Sequence, residues 1–126
     1  MSLASQISLA ITAIGTALKG KQPVPQVVSV TNTTSWTIAV TGTGNVYAQN
    51  TGLAGALTIN NPTGTLTEGQ LVWISVTGTA SRAISYGTAF EDSTQTRHAA
   101  TNGVARLDML FVYNSATSKL RFLTVV

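Results

Sequence analysis

At Pro23-Val24-Pro25 the spacing of the apolar residues changes, and this change limits the chain to a helical segment followed by a β-domain. Before it, Ala4, Ile7, Ile11, Ile14 and Leu18 step by three and four, which places them on one face of a helix as an a/d seam. Ser2 is suited to cap that helix by accepting a bond from an otherwise unpaired amide. Lys19 complements the negative end of the helix dipole, and Gly20 is a natural terminator. Proline then fixes its own φ and turns the preceding residue out of the helical region, so residues 1–22 read as a helical segment with its connector and residues 23–126 as a second unit.

Beyond the connector the period becomes two. Val28 and Val30 alternate with Ser29 and Thr31, Trp36, Ile38 and Val40 with Thr37, Ala39 and Thr41, and Leu57 and Ile59 with Thr58 and Asn60. Such runs are strands with one buried face. Leu71–Val76 is apolar at nearly every position, as expected of a central strand covered on both sides. Ala83–Tyr86, Arg106–Tyr113 and Lys119–Val125 complete the set. Turn chemistry separates the runs at Thr41-Gly42-Thr43-Gly44-Asn45, Asn60-Asn61-Pro62-Thr63-Gly64, Thr77-Gly78-Thr79 and Asn114-Ser115-Ala116-Thr117, and Glu91–Gly103 reads as a surface loop. Short strands at short intervals predict a mainly β fold, an antiparallel sandwich or barrel of jelly-roll-like form, behind a short N-terminal helix.

Composition narrows the function. Apolar residues make up 44% of 126, enough for one core, while only 9% are charged. That is well below the ~25% of an ordinary soluble domain, and a surface with so few charges does little to oppose self-association. The net charge of +3 comes from scattered lysines and arginines, not the clustered stripe that nucleic acid requires, so no nucleic-acid partner is expected. The N-terminal stretch is too short and too polar to span a bilayer, which needs about 20 mainly apolar residues, and it lacks the basic start of a secretion signal. No membrane association is expected.

The helix seam has two readings. It can pack on the β-domain of its own chain or on a partner protein. Alternatively it self-associates, and isoleucine at both a and d then favours trimers or tetramers. The expectation adopted is a homotrimer with Ile7, Ile11, Ile14 and Leu18 at its contacts.

Catalytic chemistry has little to stand on. His98 is the one histidine and lies in a polar loop with Asp92, without the base, nucleophile and orienting group of a triad. The acids Glu68, Glu91, Asp92 and Asp108 show no pairing of the kind glycoside hydrolysis uses. Glu91, Asp92 and His98 fall short of the roughly six to eight oxygens calcium takes. No enzyme activity, metal or cofactor is expected. Asn32-Thr33-Thr34 reads as a polar strand end. Trp36 shares the face of Ile38 and Val40 and belongs in the core, while Trp73 is able to stack on sugar if exposed. A carbohydrate-binding module built on Trp73 is therefore an alternative function.

Leu57-Thr58-Ile59-Asn60-Asn61-Pro62-Thr63-Gly64-Thr65, Glu68-Gly69-Gln70-Leu71 and Thr79-Ala80-Ser81-Arg82-Ala83-Ile84-Ser85-Tyr86-Gly87-Thr88-Ala89-Phe90 together resemble a module of tailed-bacteriophage structural proteins. That module has an Asn-Pro-Thr-Gly-Thr turn and Gly-Gln, then a strand, an Arg-Ala-Ile-aromatic-Gly segment and a phenylalanine. Phe111–Lys119 is similar to its closing hairpin, so the resemblance covers Ala56 to Leu123. The helical opening from Leu3 to Gly15 also looks like the start of some phage tail and fibre proteins. The chain departs from the module at Leu120, where an aromatic is common, at Tyr86, where tryptophan is common, and in the polar stretch 91–102. The resemblance implies a non-enzymatic virion protein, a capsid decoration (cement) protein or head fibre, with a tail fibre or other tail appendage as the alternative. Its partners would be copies of itself and the major capsid protein or another virion protein. No functional residue is carried over from the module.

Overall fold

The structure, a computed structural model, describes the backbone of residues 2–21 and 24–126 and the side chains of residues 2–14 and 24–126. Helix α1 runs Leu3–Lys21, one residue past the glycine at position 20 expected to end it. Ser2 caps it, its Oγ accepting from the Ser5 amide at 3.2 Å.

The strands are β1 (Gln26–Thr31), β2 (Ser35–Trp36), β3 (Val46–Thr51), β4 (Leu57–Ile59), β5 (Leu71–Thr77), β6 (Ile84–Tyr86), β7 (Phe90–Glu91), β8 (Arg106–Asn114) and β9 (Lys119–Val125). They form a six-stranded sheet in the order β1-β3-β5-β8-β9-β7 and a three-stranded sheet in the order β2-β4-β6. The fold is thus mainly β with one N-terminal helix, as the sequence predicts. The two sheets share one core, and neither closes into a barrel.

Strand direction corrects the antiparallel expectation. Only β5–β8 and β8–β9 are antiparallel, whereas β1–β3, β3–β5, β2–β4, β4–β6 and β7–β9 are parallel. The chain winds as a coil. Each turn contributes a long strand to the first sheet, passes a corner, contributes a short strand to the second, and returns to lie beside its predecessor. Ala39 bridges Thr63 in parallel on the return limb. A parallel neighbour needs a crossover of about a dozen residues, and here a short strand fills the role a helix often takes. Three coils stack in this way, and the β8–β9 hairpin pairs with the last.

Stacking is what creates the core, because one coil has no second layer against which to bury its apolar face. Register aligns Val28, Ala48, Ile74 and Met109 across one row and Val46, Val72, Phe111 and Phe122 across another. Trp36, Ile38, Leu57, Ile59 and Ile84 meet them from the other side, with Trp36 buried as expected. Phe111 centres an aromatic cluster, 5.3 Å from Phe90 and 5.4 Å from Phe122 between ring centroids.

Amide side chains join one coil to the next. Asn50, fully buried, donates to Thr33 O at 2.7 Å and accepts from Thr33 N at 3.2 Å. Gln70 donates to Gly44 O at 2.7 Å and Gly42 O at 3.0 Å, while its own oxygen accepts from Thr67 N. Asn32 accepts from Ala54 N at 2.9 Å, Asn61 from Ala89 N at 2.8 Å, and Asn60 donates to Ser35 and Thr37. A neutral amide both donates and accepts, so it satisfies the backbone groups a corner leaves unpaired without bringing a charge into the interior. The chain's poverty in charge and wealth in amides has this structural use.

The motifs that carry the phage resemblance stack on one another. Gly87 N donates to Ile59 O at 2.8 Å, and a Cβ at Gly87 would lie 2.2 Å from Asn61 Oδ1 and 2.7 Å from Asn61 N. Gly64 has φ +85°, the positive value its turn predicts, and a Cβ there would lie 2.0 Å from Val40 O. Both glycines allow one coil's corner to approach the corner of another.

Two further expectations need amending. Strand β3 was not among the predicted strands, because its inward residues are Val46, Ala48 and Asn50, a weak apolar signal. Leu71–Val76 is a central strand but is not covered on both faces: Val72, Ile74 and Val76 point into the core, and Leu71 and Trp73 are half-buried on the outer side.

Candidate functional site

Three regions hold the residues singled out from the sequence. The first is α1. Its described side chains are all exposed, with Leu3 at 71%, Ile7 at 51%, Ile11 at 65% and Ile14 at 60%. The side chain of Leu18 lies outside the described residues. The described part of the seam, up to Ile14, does not pack on the β-domain and faces solvent within one chain.

The second region is the loop after β7. Asp92 Oδ1 accepts from Arg97 N at 3.0 Å and pairs with Arg97 Nη1 at 3.2 Å. The guanidinium lies 5.1 Å from the centre of the Tyr86 ring. Tyr86 in turn donates to His98 O at 2.6 Å, and burial raises its phenol well above the ordinary value, so it stays a neutral donor. The His98 ring packs edge-on against Phe122 at 6.5 Å, and its Nδ1 is 3.5 Å from the Asn102 amide. These contacts pin the loop to the body. They spend Asp92 on Arg97 and bring His98 to no nucleophile.

The remaining acids are also separated. Glu91 pairs with Arg121 at 3.1 Å and accepts from Thr117. Glu68 accepts from Ser115 N, and hydrogen bonding from the Ser115 side chain and then its backbone lowers the carboxyl from its ordinary value. Asp108 pairs with Arg106 at 2.8 Å. Among the described residues no three of His, Asp and Glu gather to hold a metal ion, and no helix is long and apolar enough to cross a membrane.

The third region is the outer face of the six-stranded sheet around Trp73. Its indole Nε1 donates to Asp108 Oδ1 at 3.0 Å, and its ring meets Tyr47 edge to face, 5.5 Å between centroids and 86° between planes. Arg106 Nη2 donates to the Tyr47 hydroxyl at 2.7 Å. For Asp108, burial opposes ionisation, but hydrogen bonds from Ser75, Trp73 and Arg106 outweigh it and keep the carboxyl below its usual value. Hydrogen bonding and attraction from Asp108 raise Arg106 in turn. A cavity of about 150 Å³ opens beside the two rings, lined by Asn45, Leu71 and Leu110 among others. Trp73 was a candidate from the sequence. Tyr47 and Arg106 were not, since Tyr47 lies on β3 and nothing local ties either residue to Trp73.

Comparison with known proteins returns no matching family model, no matching curated protein and no matching solved structure. The class rests on the fold alone: a short, largely parallel β-coil carrying an exposed apolar helix.

Proposed function

We propose that this chain is a structural virion protein of a tailed bacteriophage, a capsid decoration protein or head fibre that acts by assembly rather than catalysis and forms a homotrimer through α1. The observation that carries this reading is the exposed seam of Ile7, Ile11 and Ile14 among the described side chains of α1. Burying such side chains is worth about 1.5–3 kcal/mol each, so an isolated chain leaves a substantial driving force unused. Scarce charge favours the same outcome, and the resemblance around Asn61-Pro62-Thr63-Gly64 and Arg82-Ala83-Ile84-Ser85-Tyr86-Gly87 supports the virion setting. Attachment to the major capsid protein would bury apolar and threonine-rich surface at about 25 cal/mol per Å² of apolar area.

Light scattering on the full chain is expected to give a trimer. The triple variant Ile7→Asp, Ile11→Asp, Ile14→Asp is expected to give a folded monomer; an unchanged trimer would move the interface to the β-domain. Imaging purified virions with labelled protein tests the setting. Label over the capsid supports decoration or a head fibre, label confined to the tail favours a tail appendage, and no label on the particle removes the virion reading.

A further inference from the structure

The outer row containing Trp73 is apolar, and hydrogen bonds hold its two aromatic side chains. Register sets Val27, Tyr47, Trp73 and Leu110 side by side on β1, β3, β5 and β8. At strand spacings of ~4.8 Å the row spans roughly 14 Å. The two aromatics are locked, because Asp108 holds the indole Nε1 and Arg106 holds the tyrosine hydroxyl. Their hydrogen-bonding atoms are therefore engaged at the ring ends, and hydrocarbon faces remain. The next row is Ser29, Gln49, Ser75 and Asp108, neutral but for one carboxylate that Arg106 balances. At the cavity, Asn45 uses its oxygen to accept from Leu71 N at 3.1 Å, which leaves its amide N–H groups as donors.

We propose that this face binds a neutral glycan, with one pyranose ring seated in the corner between Tyr47 and Trp73 and the following units lying along the row. A pyranose has a face of C–H groups and a rim of hydroxyls. The corner offers hydrocarbon to the face, and Asn45 in the lining offers hydrogen bonds to the rim. The size agrees: about 150 Å³ is well under the ~300–1,000 Å³ of a drug-sized site, and holds a single ring. The charge agrees as well. An anionic ligand would meet no cation in the cavity lining, and a cationic one would find the only nearby carboxylate already paired. Rings held by hydrogen bonds also lose little side-chain freedom on binding, which favours affinity.

The test uses the full-length protein and a panel of neutral trisaccharides of glucose, galactose, mannose and N-acetylglucosamine, followed by calorimetry and tryptophan emission. At least one sugar is expected to bind saturably, with an emission change from Trp73. Trp73→Ala is expected to weaken binding at least tenfold while the circular dichroism spectrum is kept. Should Trp73→Ala fold poorly, Asn45→Ala and Leu110→Lys serve instead, each expected to weaken binding at least threefold. Absence of saturable binding across the panel overturns the proposal, as does binding that none of these folded variants changes. Loss of the oligomer in Trp73→Ala without any sugar response would also overturn it and make the face a protein interface. None of these outcomes depends on whether the chain belongs to a virion.

Discussion

Single residues in this protein matter most where one coil touches the next. Gly64 combines a positive φ with the nearest approach to Val40 O, so Gly64→Ala faces both backbone strain and a collision with main chain. A loss of about 2–4 kcal/mol is expected, measured by urea denaturation with the slope unchanged. Gln70→Ala removes the partner of two carbonyls, Gly42 O and Gly44 O, and should cost about 2–3 kcal/mol in the same assay, because a buried acceptor left unpaired carries its full desolvation penalty. Asp108 makes stability depend on pH. Its folded value lies below the unfolded ~3.9, so the stabilisation it provides is fully present above that unfolded value and is lost as pH falls through the lowered folded one. Asp108→Asn should therefore lower the thermal midpoint at pH 7, and the gap to the parent protein should close below about pH 4. A gap that stays constant to pH 2 would show that the ionised carboxylate contributes nothing.

At the scale of elements, α1 and β3 show opposite relations between local pattern and context. The helix has a clear seam and a working cap, yet within one chain it gains nothing from tertiary packing along its described side chains. Helices of this length are marginal in water when unsupported, and Gly15 costs about 1 kcal/mol relative to alanine. Its helicity should therefore depend on assembly. Circular dichroism at 222 nm is expected to lose signal on dilution of the full chain, and the triple aspartate variant should show the diluted spectrum at every concentration. Concentration-independent helix would contradict assembly through α1. Strand β3 has the reverse character: weak in apolar pattern, it pairs with β1 on one side and β5 on the other. Its inward Asn50 is tolerated because Thr33 supplies both hydrogen bonds, a partner seventeen residues away that no local reading of β3 contains.

The whole molecule depends on the hairpin that follows the coils. Val72 of the third coil pairs with Phe111, and Phe111 pairs with Phe122, so the aromatic cluster joins coil to hairpin. Phe111→Ala should cost about 3–5 kcal/mol and lower a single transition for the whole β-domain, as seen by tryptophan emission and far-UV dichroism together. Two separated transitions would mean that coils and hairpin unfold independently. The sequence alone determined the helix, most strands, the burial of Trp36 and the turns at Asn61–Gly64, because caps, glycine φ and period-two alternation are local properties. It also marked Trp73 as a residue to watch. Tertiary structure decided the direction of the strands, since alternation is the same whether a neighbour runs parallel or antiparallel. The difference lies in whether the chain returns by a hairpin or by a full coil, and that depends on corners fitting together, as Gly87 fits Asn61 and Gly64 fits Val40. Tertiary structure alone likewise brought Tyr47 from β3 and Arg106 from β8 to Trp73, because residues far apart in sequence become neighbours only through the register of stacked strands.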